Sequence, residues 1–518
     1  MNGAQSLLRT LVGSGVRVCF SNPGTSEMHF VAALDDVPEM RSVLCLFEGC
    51  TTGAADGYAR MTDRPAATLL HLGPGLTNAL ANVHNARKAC TPMLNVVGEH
   101  ATYHRTKNTP LSSNIEGLAR PLSHWLRTTE RPADLPRDAA EAVAAALTPP
   151  GQIATLVLPA DVSWAESVAP AAPLKVPARR SVDEGALAAA AGVLASAGAG
   201  GAILLGGVAL REGSLAVASR IAAATGARLL CDTFTGRLER GAGRAAVERL
   251  PYFAEACASA LASVRELVLI GTQAPVPFFA YPNKPSELLA PGCNVHALAA
   301  AGDDLHDALV RLADRVGAKA GSERMQARAQ LGPSQRPKLD AKAIAETLAA
   351  RLPEHAIVID EGGTEAFLTP VMSAGAPRHD WLSNTGGSIG MGLPMAVGAA
   401  IACPDRTVIC LEGDGGAMYT LQALWTQARE GLRVINIVLA NRSYRILNVE
   451  LERVGAEQAG GRARQMLRID GPTLDFVALA TGMGVSAIRA ETPSDFDRAL
   501  TRALAAEGPC LIEAVIGG

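Results

Sequence analysis

A chain of 518 residues, 48% hydrophobic and 19% charged, has material for several cores and is neither disordered nor fibrous. A net charge of −3 and 4% aromatics supply neither the basic surface nor the stacking platforms that nucleic acid or an anionic membrane requires. The ten cysteines form no CxxC pair, and several, such as Cys45 and Cys410, lie in apolar runs, which reads as buried thiols of a cytoplasmic protein.

The opening "MNGAQSLLRTLVGSGVRVCF" lacks a basic head followed by an unbroken apolar core, so neither a signal peptide nor a membrane span is expected. Short apolar runs then alternate with Ala-rich helical stretches: "VRVCF", "AATLLHL", "MLNVVG" and "IATLVLP". A Pro- and Ala-rich stretch, 165–181, reads as a linker. "GAILLGG" and "ELVLIG" follow, then a polar stretch, 321–340. The last third carries "AIVID", "RTVICLEGDG", "VINIVLAN" and "PCLIEAVI". Continuous apolar runs separated by helix-length segments predict parallel sheets covered on both faces. The expected fold is α/β, with three doubly wound, mainly parallel-sheet domains at 1–165, 182–320 and 340–518.

In open parallel sheets, ligands bind beyond the carboxyl ends of strands. Asp414 ends the run "TVICL" and Asn441 ends "VINIVLA", so both sit at the same sheet edge. Gly413, Gly415 and Gly416 permit a sharp turn and close approach to a ligand, and a helix is expected over Met418–Arg429. One carboxylate, one amide oxygen and a backbone carbonyl make a sparse oxygen site that suits Mg²⁺ with a phosphorylated ligand. The competing reading is an ordinary strand–helix turn with a capping Asp.

This stretch resembles the thiamine-diphosphate signature of the pyruvate oxidase, acetolactate synthase and benzoylformate decarboxylase family. Four other stretches resemble family motifs in family order: "FSNPGTSE" (20–27), "LFEGCTTGAADGYAR" (46–60), "LLHLGPGLTNAL" (69–80) and "SNTGGSIGMGLPMAVGAA" (383–400). The resemblance is closest to benzoylformate decarboxylase-like and acetolactate synthase-like large subunits.

The resemblance implies thiamine diphosphate and Mg²⁺ as cofactors, with Asp414, Asn441 and the Ser443 carbonyl as metal ligands. Cofactor contacts fall on Pro23, Gly24 and Glu48, and on Gly363 and Thr364 in "VIDEGGTE". They continue on Gly387, Ser388 and Ile389, on Gly413, Gly415 and Gly416, and on Tyr444, Arg445 and Ile446. Glu48 would hydrogen-bond the aminopyrimidine ring, so that the cofactor can lose the C2 proton of its thiazolium. Its setting in "CLFEGCT" is largely apolar. Ile389 falls where the family wedges an apolar side chain under the bent cofactor, though a core isoleucine is the competing reading. His71 and Thr25 are the candidate catalytic groups that meet the substrate carboxylate and move protons.

The activity implied is decarboxylation of a 2-oxo acid, with release of an aldehyde or ligation to a second carbonyl. The alternatives are a biosynthetic acetolactate synthase catalytic subunit and a non-catalytic cofactor-binding relative. The active sites are expected across the subunit interface of a homo-oligomer, a dimer at minimum and a dimer of dimers in the fuller assembly. Some relatives carry FAD, and "AILLGGVALREG" could be a degenerate dinucleotide turn, but it lacks GxGxxG, so FAD stays open without support. Four departures stand out. The family's paired Asn begins here with Ala440. Phe279, Ala280 and Tyr281 replace a second histidine. The Phe-Gln pair expected of acetolactate synthases is missing from 101–119. Glu450 falls near where benzoylformate decarboxylase has a pocket aromatic, and an unpaired carboxylate at that point would disfavour an aryl substrate.

Overall fold

The computed structural model describes residues 1–456 and 458–516. Every apolar run named above is a strand with a parallel partner. Ile153–Pro159 and Val434–Ala440 are buried at every residue, as expected of strands covered on both faces.

The strands form three sheets. The first runs in the order Arg41–Leu44, Val18–Asn22, Ala66–Leu70, Met93–Glu99, Ile153–Pro159, Trp125–Thr128. The second is Glu248–Arg249, Arg228–Cys231, Gly201–Leu205, Glu266–Ile270, Asn294–Ala299. The third is Ser486–Ala490, Cys510–Val515, Val434–Ala440, Val408–Gly413, Ala356–Glu361, His379–Ser383, Leu238–Arg240. That last strand comes from the middle third of the chain and pairs antiparallel with His379–Ser383. Local pattern does not predict this crossing, because a three-residue strand carries too little periodicity to name its partner. Between Trp164 and Glu184, and between Arg315 and Ala341, the chain has only isolated bridges.

The first and third sheets are joined through two helices, Glu48–Thr62 and Gly392–Ala402. Their backbones touch. A Cβ on Gly57 would lie 2.1 Å from the Met395 carbonyl oxygen, and one on Gly398 would lie 1.8 Å from that of Ala54. Asp56 and Arg60 form a buried bidentate pair on the first helix, and Arg60 also donates to the Ser383 carbonyl at 2.8 Å. The "ADGYAR" stretch is therefore the weld between the two sheets. Among the described residues no helix is long and apolar enough to cross a membrane. The ten cysteines are free, and six are buried.

Candidate active site

Two groups of side chains gather at the carboxyl edges of the first and third sheets. In the first, the strand Val18–Asn22 ends and the chain turns through Pro23 and Gly24 into a short 3₁₀ turn, Thr25–Glu27. Ala66–Leu70 ends at His71, and Leu72, the first residue of the helix Leu72–Lys88, lies in the left-handed region with φ 53°. Such a conformation costs a non-glycine residue about 1–2 kcal/mol, so the packing around His71 imposes it. Glu48 opens its helix and is nearly buried. Asn78 Nδ2 donates to Glu48 Oε2 at 3.0 Å. A Cβ on Gly75 would lie 3.0 Å from Glu48 Oε1 and 3.4 Å from His71 Cβ, so the two candidate residues flank one glycine. Thr25 is exposed at the edge of this group. Asn78 falls in the stretch 69–80, and the sequence alone gives it no role.

In the second group, the register of Val408–Gly413 on Val434–Ala440 sets Gly413 opposite Leu439 and brings Asp414 and Asn441 to one edge. Asp414 Oδ1 accepts from the Gly415 N–H at 2.9 Å, and Oδ2 accepts from the Arg442 N–H at 2.5 Å. Burial pushes its carboxyl up to about 6. Asn441 Nδ2 donates to Glu365 Oε1 at 3.1 Å, which directs Oδ1 toward the Ser443 N–H, 2.9 Å away. Arg442 is a second non-glycine residue held at positive φ, 59°. Gly363 begins a 3₁₀ turn with φ 57°, and Thr364 follows it. The Tyr444 ring covers Gly415, where a Cβ would lie 2.4 Å from its Cε1. Arg445 and Ile446 start the helix Arg445–Arg453, and Arg445 pairs with Glu365 at 2.8 Å.

The helix expected over Met418–Arg429 is corrected by the structure. A single turn spans Asp414–Ala417, and helix resumes only at Ala423–Arg429. Tertiary contacts override the local preference between them. Thr420 Oγ1 donates to the Gly390 carbonyl at 2.8 Å, and a Cβ on Gly390 would lie 2.5 Å from Tyr419 Cβ. Ile389, beside that glycine, is 38% exposed, so its reading as a core isoleucine fails. Its loop is held from the first sheet's side. Asn85 donates to the Ser388 carbonyl at 2.8 Å and accepts from the Ser388 N–H at 3.1 Å. Gly387 N–H donates to Asn384 Oδ1 at 2.8 Å.

A carboxyl pair beneath that loop escaped the sequence reading. Register places Glu361 opposite Glu412 on neighbouring buried strands. Two carboxylates cannot both ionise there, so burial pushes Glu361 up to about 7 and Glu412 well above the usual range. Glu361 accepts from the N–H groups of Gly390 and Gly392, at 3.0 and 2.6 Å, and from Asn384 Nδ2 at 2.9 Å. Glu361→Ala would orphan all three donors, at about 1–3 kcal/mol each. A drop in urea midpoint equivalent to at least about 3 kcal/mol is expected. A midpoint within error of wild type would show that the loop does not depend on this anchor.

The replacements for the second histidine also prove connected. Tyr281 Oη donates to Glu450 Oε2 at 2.7 Å, and the Arg453 guanidinium lies 4.3 Å from the Tyr281 ring centroid. Glu450 is thus not the unpaired carboxylate that the sequence suggests, although its Oε1 is buried without a partner. Phe279 and Ala280 are exposed. Among the described residues, no hydrogen bond joins the Glu48–His71 group to the Asp414–Asn441 group.

Three mainly parallel sheets, with oxygen donors at the edge of one and a buried carboxylate beside a histidine at the edge of another, define a class of cofactor-dependent enzyme. Residues 1–116 match the model of the thiamine pyrophosphate enzyme N-terminal binding domain, and residues 360–514 match that of its C-terminal binding domain. The chain belongs to the thiamine pyrophosphate enzyme family and is an enzyme that uses this cofactor. It is 53% identical over 517 residues to a Mycobacterium tuberculosis H37Rv protein provisionally named acetolactate synthase large subunit IlvX, covering 100% of this chain and 99% of the relative. It is 30% identical to benzoylformate decarboxylase of Pseudomonas aeruginosa PAO1, covering 96% of each. Among solved structures, the thiamine diphosphate-dependent 4-hydroxybenzoylformate decarboxylase of Rhodococcus jostii RHA1 superposes with TM-score 0.87 at 25% identity, over 100% of this chain and 99% of that one.

Proposed function

We propose that the chain catalyses thiamine-diphosphate- and Mg²⁺-dependent decarboxylation of a 2-oxo acid. The carboxylate leaves as CO₂, and a proton or a second carbonyl carbon takes its place, giving an aldehyde or a ligation product. The observation that carries this reading is the convergence of Asp414 and Asn441 on adjacent strand ends of a family member. Asp414, Asn441 Oδ1 and the Ser443 carbonyl form an all-oxygen donor set of the kind Mg²⁺ prefers. A cation there would favour the ionised form of Asp414, offsetting its burial. Gly363, Thr364, Gly413, Gly415 and Gly416, together with Tyr444, Arg445 and Ile446, would hold the diphosphate. Gly387, Ser388 and the exposed Ile389 support the bend, while Pro23, Gly24 and Glu48 receive the pyrimidine. When bound, the cofactor supplies the carbon that attacks the oxo group and stores the electrons released with CO₂. Thr25 binds the substrate carboxylate, and His71 Nε2 moves a proton at the former oxo oxygen.

That no hydrogen bond among the described residues joins the Glu48 group to the Asp414 group supports an assembly in which one protomer completes its partner's site, a dimer at least and a dimer of dimers in the full enzyme. We assign units to 1–165, 182–320 and 340–518, and the protein to the cytoplasm. FAD has no part in this reading. A panel of 2-oxo acids, with purified protein, thiamine diphosphate and Mg²⁺, tests it through CO₂ release and product identity. No CO₂ from any member would overturn it. The name of the 53% identical relative favours a second 2-oxo acid as acceptor, and acetolactate among the products would establish that branch.

Specificity should favour short or polar side chains. An aryl ring placed against Glu450 would leave its already unpartnered Oε1 unsatisfied, whereas a polar substrate group could donate to it, a difference of about 1–3 kcal/mol. Since 1.4 kcal/mol is about tenfold in rate, pyruvate or another short 2-oxo acid should exceed benzoylformate at least ~10-fold in kcat/KM. Glu450→Phe should narrow or reverse that ratio. A wild-type preference for benzoylformate, or a ratio unmoved by Glu450→Phe, would remove Glu450 from the pocket.

A further inference from the structure

We propose that Glu27 is the positioning residue of His71: its carboxylate keeps the ring proton on Nδ1 and leaves Nε2 as the working nitrogen. The inference rests on the reading of His71 as the group that moves a proton at the substrate. Glu27 lies at the end of the turn after Gly24 and is fully buried. One of its oxygens, Oε2, receives both the Gly24 N–H at 2.7 Å and His71 Nδ1 at 2.8 Å. The Gly24 N–H can only donate, so an ionised Glu27 accepts at Oε2 from both groups, and the proposed tautomer carries its proton on Nδ1. Nε2 has no hydrogen-bond partner among the described residues.

The surroundings are shaped to hold this carboxyl. A Cβ on Gly98, in the strand Met93–Glu99, would lie 1.5 Å from Glu27 Oε1, so only glycine leaves that oxygen its place. A Cβ on Gly24 would lie 2.3 Å from His71 Nδ1, so the ring rests directly on the turn that Glu27 closes. Leu72 is held at φ 53° immediately after the histidine. Oε1 itself is buried without a partner, an arrangement that costs free energy and serves no purpose in packing alone. One carboxylate thus ties together the Thr25 turn and the His71 ring, and sets the tautomer that presents a basic Nε2. A tautomer reversed by loss of such an orienting carboxylate costs orders of magnitude in turnover in other histidine-based sites.

The test begins with the wild-type holoenzyme. In mildly alkaline buffer, selective ¹⁵N labelling of histidine, with His71 assigned by its loss in His71→Gln, should show the proton on Nδ1. A proton on Nε2 overturns the inference whether or not any Glu27 variant folds. Glu27→Met removes both acceptor contacts at near-constant volume. It should mix the two tautomers and lower kcat about 100-fold, with KM changed far less and cofactor still retained. Glu27→Gln, if the Gly24 N–H holds its amide oxygen in the place of Oε2, keeps an acceptor for Nδ1 and should recover part of that loss. A Glu27→Met enzyme with kcat within threefold of wild type overturns the inference if His71→Gln is impaired. If His71→Gln is itself fully active, the reading of His71 falls instead.

Discussion

Glu48→Gln is expected to retain thiamine diphosphate and to slow exchange of its C2 hydrogen for deuterium by about two orders of magnitude or more. The substitution preserves shape. Glu48 is nearly buried at the start of its helix, and Asn78 Nδ2 holds Oε2 at 3.0 Å. That contact leaves Oε1, which lies against Gly75, as the oxygen free to share a proton with a ring nitrogen. Gln can fill the same volume and meet the same ring, but its amide cannot take up and return the proton. Cofactor retention therefore survives while activation fails, and the two are measured separately by gel filtration and by quenched exchange of the bound cofactor. Exchange at the wild-type rate in Glu48→Gln would assign the task to another group.

Asp414→Ala should abolish retention of thiamine diphosphate on gel filtration in the presence of Mg²⁺. Asp414 is the carboxylate of the proposed donor set, and Asn441 with one carbonyl provides no charge of its own. The side chain has a second duty, since its two oxygens accept from the N–H groups of Gly415 and Arg442. Removing it orphans both donors, at about 1–3 kcal/mol each where they are buried, so a lower melting temperature is also expected. Loss of retention well below that melting temperature, with unchanged far-ultraviolet circular dichroism, separates the binding defect from unfolding. Wild-type affinity in Asp414→Ala would remove the anchor from this strand end.

By itself the sequence determined the class of fold and the positions of the motifs. Parallel strands covered on both faces must be continuously apolar, so runs such as "IATLVLP" and "VINIVLAN" announce themselves without reference to the rest of the chain. A turn at a strand end must be glycine-rich where the backbone doubles back, which made Gly413–Gly416 visible, while 20–27 and 69–80 stood out by their resemblance to family motifs. The tertiary structure alone decided which side chains meet. Glu27 reaches His71 because two strands end side by side, and Glu361 faces Glu412 through sheet register. Tyr281 meets Glu450 across 169 positions of chain, turning an apparently unpaired charge into half of a hydrogen-bonded pair. Contacts with Gly390 likewise broke the helix that local preference would have run from Met418. Periodicity and turn chemistry are short-range and can be read in a window of residues. Pairings of this kind depend on register and on packing between distant segments, and no local window contains both partners.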